Sequence, residues 1–176
     1  IDKLPKLKGK LFVGIKYGHD GTNVAMSIAV KTISGDIFVE VIDCQSVRNG
    51  NAWIISFLKQ ADVQEIVIDG ASGQNILASE MKDARIKKPI LPTVKEIIVA
   101  NSTFEQGLFQ QTIKHRGQPS LSQVVTNCEK RNIGSSGGFG YRSQIEENDI
   151  ALMDSMILAH WACQVHKPVK KQKISY

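Results

Sequence analysis

Residues 65–74 read EIVIDGASGQ, a short continuous apolar run that closes on an acid and passes at once into a glycine-rich turn. A run of that length, with two β-branched isoleucines around a valine, has the character of a buried strand rather than a helix. The reading predicts a central strand over residues 65–69, entered from a helix. Upstream, Trp53, Ile54, Phe57 and Leu58 recur at helical spacing, with Asn49 or Asn51 as the capping residue. Downstream, residues 74–84 predict a second helix with Ile76, Leu77 and Met81 turned inward.

Three β-rich runs precede this unit: residues 11–15, residues 24–30 after the Asp20-Gly21 turn, and residues 37–42 after the Ser34-Gly35-Asp36 turn. Their spacing predicts an antiparallel meander. Past the second helix, Pro89-Ile90-Leu91-Pro92 leads into an edge strand or extended segment. Asn101-Ser102 stands where a cap would open a third helix carrying Phe104, Leu108 and Phe109, and residues 120–127 offer a fourth. Residues 132–141 form a glycine-rich hairpin or loop, and residues 149–165 the longest helix. The expected class is therefore α/β, a mixed five-stranded sheet with three antiparallel leading strands flanked by helices. That element order resembles an RNase H-like core.

The chain has 176 residues, 42% of them hydrophobic, enough for one core of ordinary density. Residues 1–10, with Lys3, Lys6, Lys8 and Lys10, read as a basic lead-in, residues 11–166 as the domain, and the lysine-rich residues 167–176 as a basic tail. A start at Ile1 rather than Met suggests a piece of a longer polypeptide. Lys and Arg number 22 against 17 Asp and Glu, giving a net charge of +5. This balance favours a polyanion, nucleic acid first, although mildly basic proteins also exist that bind none. Cys44, Cys128 and Cys163 are odd in number and form no CxxC pair, which argues against a disulfide framework or a zinc site. With no apolar run of membrane-spanning length and no signal peptide, the expectation is a cytoplasmic protein without a membrane partner.

Ligands of such mixed sheets bind outside the strands' carboxyl ends, so acids there come first. Asp69 ends its strand, and the small residues 70–73 beyond it are expected to leave room for a substrate backbone. The other reading of Asp69 is a turn or capping aspartate. The long helix, DIALMDSMILAHWAC over residues 149–163, is apolar on nearly every face, which makes Asp149 and Asp154 costly unless paired or metal-bound. Five residues along a helix turn through roughly 140 degrees, so these two cannot point at one spot. Asp149 reads either as a metal ligand or as an acid favouring the helix dipole, with Asp154 in reserve. In the first strand Asp20 lies in a His-Asp-Gly turn, while the strand itself carries Lys16, a solvated strand residue on the alternative reading. Glu40 and Asp43 on the third strand are further candidates. An all-carboxylate set with no His or Cys cluster points to magnesium or manganese, two ions roughly 3.5 to 4 Å apart acting on a phosphodiester. His19, His115, His160 and His166 read as surface or packing residues.

Four blocks, FVGIKYGHDGTNVAMSIAV (12–30), EIVIDGASGQ (65–74), FEQGLFQQTIKHRGQPSLSQVVTN (104–127) and EENDIALMDSMILAHWA (146–162), together resemble the nuclease half of phage terminase large subunits. The resemblance implies an RNase H-like endodeoxyribonuclease that cuts concatemeric double-stranded DNA during genome packaging with two divalent ions. By position it makes Asp69 the second-strand acid and Asp149 the helix acid. Lys16 holds the place of the usual first-strand acid, so either Asp20 substitutes from four residues on or the site is weakened. The implied partners are double-stranded DNA, an ATPase domain N-terminal to this stretch, and the small terminase subunit and portal. No GxxxxGK[ST] loop occurs within it. Arg131, Arg142 and Lys16 are the candidate DNA contacts, the two arginines together with the GSSGGFGYR segment that Arg142 closes; Lys95, Lys114 and Arg116 are lesser ones. Two rival readings are a junction resolvase or transposase core and a catalytically silent DNA-binding module.

Overall fold

The computed structural model describes residues 7–19, 21–114, 128–133, 138–143 and 147–165, with side chains over 10–19, 21–114 and 150–165. Three strands, β1 (Leu7–Tyr17), β2 (Asn23–Thr32) and β3 (Ile37–Ser46), form the expected antiparallel meander. Helix α1 (Ala52–Gln60) crosses over to β4 (Val63–Asp69), which pairs in parallel with β1. After α2 (Gln74–Asp83), the proline-flanked Ile90 makes a parallel bridge with Val67 on the outer side of β4. Helix α3 (Val94–Gln110) then leads to β5 (Ile113–Lys114), a two-residue strand beside β3. The sheet order is β4-β1-β2-β3-β5. A separate hairpin of β6 (Cys128–Ile133) and β7 (Gly138–Ser143) precedes the closing helix α4 (Glu147–Val165).

Strand alternation divides the interior in two, because successive side chains leave a strand on opposite faces. Val13, Ile15, Met26, Ile66 and Ile68 pack with Ile54 and Leu58 of α1 and Leu77 and Met81 of α2. Phe12, Ala29, Val39 and Val67 pack on the other face with Phe104 of α3 and the apolar run of α4. Helices therefore cover both faces of the sheet.

Helix α4 sits unusually close to the sheet, and Gly14 is the reason. A Cβ at Gly14 would lie 2.2 Å from the Ser155 carbonyl oxygen and 2.5 Å from the Ala159 nitrogen. Ser27, opposite Gly14 in the ladder, meets Ser155 across this contact with their Oγ atoms 2.6 Å apart and both residues buried. Since the Ser155 hydroxyl donates to the Leu152 carbonyl at 2.8 Å, Ser27 is the donor to Ser155. Further along α4, Cys163 lies in the field of Lys31, which pairs with Lys8 near the start of β1. Helix α4 thus runs antiparallel to β1. Its N-terminus is carried toward the end of the sheet where β1 and β4 finish.

Several local expectations are revised. Strand β1 begins at Leu7, four residues earlier than its apolar core, inside the stretch read as a lead-in. Helix α3 opens at Val94, where Thr93 and Glu96 form a reciprocal capping box; Asn101 is buried in mid-helix and donates from Nδ2 to the Ile97 carbonyl. Phe109 is 80% exposed and Ile76 60% exposed, so the inward faces of α3 and α2 fall to Phe104, Leu77 and Met81. Asn51 precedes α1 as expected but makes no side-chain cap. The helix read over residues 120–127 lies outside the described residues.

His160 is a packing histidine, as expected: it is 2% exposed and meets Phe104 edge-on with centroids 5.3 Å apart. Burial lowers its pKa from 6.5 to about 4. Between those values the unfolded chain binds the proton and the folded chain does not, so the stability is present above pH 6.5 and lost as pH falls toward 4. At about 1.4 kcal/mol per pKa unit, the loss reaches a few kcal/mol. Urea unfolding of the wild type and His160→Leu between pH 4 and 7 is expected to show a shallower pH dependence in the variant. Gly14→Ala must push α4 off the sheet and is expected to cost roughly 2 kcal/mol or more in the same assay, within the range for overpacking.

Candidate active site at the carboxyl ends of β1 and β4

Lys16 and Asp69 are direct partners in the parallel β1–β4 register. Gly14 and Val67, two residues earlier on each strand, face α4, so alternation sends Lys16 and Asp69 to that same face. The Lys16 ammonium donates to Asp69 Oδ2 at 2.6 Å, with the side chains 19% and 17% exposed. A charge-assisted contact this short and this sheltered is worth more than a surface pair, which contributes little. Lys16 is therefore not a solvated strand residue. It is the counter-ion of the strand-end acid.

The turn after β4 is built around Tyr17. Gly70 has φ +115°, and a Cβ on it would fall 2.6 Å from the Tyr17 carbonyl oxygen; one on Gly73 would fall 2.4 Å from the Tyr17 ring. Of the small residues expected to make room for a substrate backbone, Gly70 and Gly73 lie against Tyr17, while Ala71 and Ser72 are exposed. The Tyr17 hydroxyl donates to Asn51 Oδ1 at 2.8 Å, and Asn51 Nδ2 donates to Glu80 Oε1 at 2.6 Å. Burial, reinforced by the Glu80 charge, pushes the Tyr17 phenol well above its usual range, against the Asn51 hydrogen bond, so it stays protonated and remains a donor. This chain ties the end of β1 to α1 and α2. It was not foreseen from sequence, because its members are 34 and 29 residues apart.

The β1–β2 turn closes against the same turn. Gly18 donates to the Asn23 carbonyl at 2.7 Å and Gly21 to the Gly18 carbonyl at 3.0 Å, while Gly21 faces Ser72. Asp20 lies outside the described residues. Asp149 falls in the first turn of α4, and its side chain also lies outside them. Its backbone position follows from the packing: six residues before Ser155 is about 9 Å of helix, and Lys16 is about 7 Å of strand beyond Gly14. Asp149 accordingly stands at the level of the Lys16–Asp69 pair. Asp154 is partly buried beside Ser155.

The third-strand acids stand apart. Asp43 registers with Met26 on β2, three strand spacings or about 14 Å from β4, and its carboxylate accepts from the Cys44 amide and Gln45 Nε2, each at 2.8 Å. Glu40 is on the same strand, opposite Ile28. Neither joins Asp69. Arg131 and Arg142 belong to the β6–β7 hairpin, opposite Gly140 and Glu129, and β7 lies against α3 and α4. Lys114 pairs with Asp36 at 3.7 Å.

Divalent magnesium or manganese requires several oxygen donors. Among the described residues no three His, Cys, Asp or Glu side chains come together in such a set. The β1 position beside Asp69 holds an ammonium rather than a carboxylate, and the side chains of Asp20 and Asp149 lie outside the described residues.

Neither a scan of sequence-family models nor a comparison with curated proteins finds a match. Comparison with solved structures does. The HK97 bacteriophage large terminase superposes with a TM-score of 0.66 at 12% identity, over 89% of this chain and 41% of that one. The large terminase nuclease of thermophilic phage G20c with bound magnesium gives 0.59 at 15%, over 89% and 90%. The Thermus phage P74-26 large terminase nuclease domain gives 0.57 at 14%, over 95% and 93%. The chain has the RNase H-like fold of the large-terminase nucleases. It spans less than half of the HK97 terminase and about nine-tenths of the nuclease-domain chains.

The ion pair makes a prediction about stability. Asp69→Asn removes the anion of this pair, and Lys16→Met removes its cation. The double variant is expected to be more stable than the sum of the two losses indicates, with a coupling of about 1–3 kcal/mol in a urea-unfolding cycle. Strictly additive losses count against the pair.

Proposed function

We propose that this chain is the nuclease domain of a phage terminase large subunit, a divalent-metal-dependent endodeoxyribonuclease that cuts concatemeric double-stranded DNA during genome packaging. The observation that carries the reading is the acid Asp69 at the carboxyl end of β4, level with the acidic first turn of α4, in a fold shared with large terminase nucleases. The net charge of +5 supports a polyanionic substrate. Bound magnesium in the G20c nuclease supports metal dependence. On this reading Asp69, Asp149 and Asp20 hold metal. Arg131 and Arg142 lie along phosphates, and Lys16 supplies fixed positive charge at the scissile group. A divalent ion, magnesium or manganese, would supply a water activated for attack and neutralisation of the phosphodiester. An N-terminal ATPase domain, the small terminase subunit and the portal would be its partners, in the host cytoplasm.

One observation favours a second reading, a DNA-binding module with a silenced centre: Asp69 is already occupied by the Lys16 ammonium. Plasmid nicking separates the two. The expected result is cleavage in manganese or magnesium with little sequence preference, abolished by EDTA. Asp69→Asn and Asp149→Asn are each expected to reduce it at least a hundredfold, about the loss of one centre of charge stabilisation. Asp20→Asn should match them if that residue replaces the missing first-strand acid. Cleavage that survives chelation sinks the metal mechanism; DNA binding without cleavage selects the second reading.

A further inference from the structure

Helix α2 borders a groove that the sheet-end site does not use. Ala78, Ser79 and Lys82 of α2 line one side, and Ile86, Pro89 and Leu91 of the segment leading past the β4 edge line the other, around a volume of about 750 Å³. That is the size of a pocket that seats a ligand or a few side chains. Ile86 also packs against the core beneath α1 and α2, so the apolar lining continues into the interior. Leu91 is exposed, as is Ile76, one turn before Ser79 on α2. Large apolar side chains gathered on a surface mark a place where something else binds.

The charge around this apolar lining has one dominant sign. Residues 82–88 read KDARIKK, four cations against one acid. Lys82, Arg85, Lys87 and Lys88 are all exposed, Lys88 lines the groove, and among the described residues none of the four forms a salt bridge. Lys87 donates to the Gln64 carbonyl at the start of β4. The cluster therefore stands five strand residues, or about 16 Å, from the level of Asp69, and does not extend that site.

We propose that this groove docks an acidic segment of another protein, which inserts apolar side chains between α2 and residues 86–91 and sets carboxylates against the lysines. Apolar contact supplies the affinity in such a groove, and the charged rim steers encounter and selects the partner. Duplex DNA satisfies only half of this, since its phosphates suit the cations but offer nothing to the apolar lining. The lysine-rich residues 167–176 and a second copy, with its own net charge of +5, bring the wrong sign.

Amide resonances of the isotope-labelled 176-residue chain, titrated with a synthetic amphipathic peptide, test this. The probe carries leucines along one helical face and glutamates along the other; one control replaces the glutamates by lysines and another the leucines by serines. The glutamate–leucine peptide is expected to shift Ala78, Ser79, Ile86 and Leu91 with a Kd below about 1 mM, and both controls to bind roughly tenfold more weakly or worse. The double variant Lys82→Glu/Lys88→Glu is expected to reverse the preference between the glutamate and lysine peptides. Circular dichroism reports whether it folds; should it not, Lys82→Gln/Lys88→Gln is expected to weaken the glutamate peptide and leave the lysine peptide no weaker. No shift at the groove, equal binding of either control, or an unchanged preference in the folded variant overturns the proposal. So does a DNA duplex that shifts the same amides more tightly than the acidic peptide, which would assign the surface to nucleic acid.

Discussion

The close approach of α4 to β1 over Gly14 is the constraint on which the site depends. Absence of a side chain at that single position lets the helix backbone rest on the strand, and the buried Ser27–Ser155 hydrogen bond fixes where along the strand it rests. Once that point is pinned, helical rise and strand rise are fixed quantities. The first turn of α4 has to arrive level with the ends of β1 and β4. A site assembled from a strand and a distant helix needs such a reference point, since side chains that act together tolerate errors well under an ångström.

The carboxyl end of the sheet is also braced from its other face. Tyr17 follows Lys16 directly and so points away from it, into a seat formed by Gly70 and Gly73 and a hydrogen-bonded line through Asn51 to Glu80. Lys16 and Tyr17 hold the last residues of β1 from opposite sides, one by charge and one by packing. The acid at the end of β4 is consequently presented beside a turn that is braced by packing and hydrogen bonds.

Much of this was legible in the chain. The run EIVID, read as a strand closing on an acid, is β4, and the alternation of the three preceding runs gave the meander, because both depend on local periods of apolar residues. The parallel bridge at Ile90 fits the extended segment expected between Pro89 and Pro92. What periodicity does not carry is register between distant strands. That Lys16 stands beside Asp69 is settled by which β1 residue pairs with which β4 residue, 53 positions away. The start of α3 was misread for a different reason: Asn101-Ser102 has the local chemistry of a cap, but Thr93-Val94-Lys95-Glu96 carries the reciprocal capping signature and wins it. The glycines at 70 and 73 were recognised as space, and only the fold could say that Tyr17 fills it.

The two lateral edges of the sheet bear on how copies of this domain can stand beside one another. Beyond β4, Ile90 donates to the Ile66 carbonyl at 2.8 Å and accepts from the Ile68 amide at 3.0 Å, satisfying the outward groups that a neighbouring chain would otherwise use. Beyond β3, the two residues of β5 do the same for Ile37 and Phe38. Over these stretches the edges resist strand-to-strand joining between molecules. Another molecule could add a strand at these stretches only by first breaking the pairing already there.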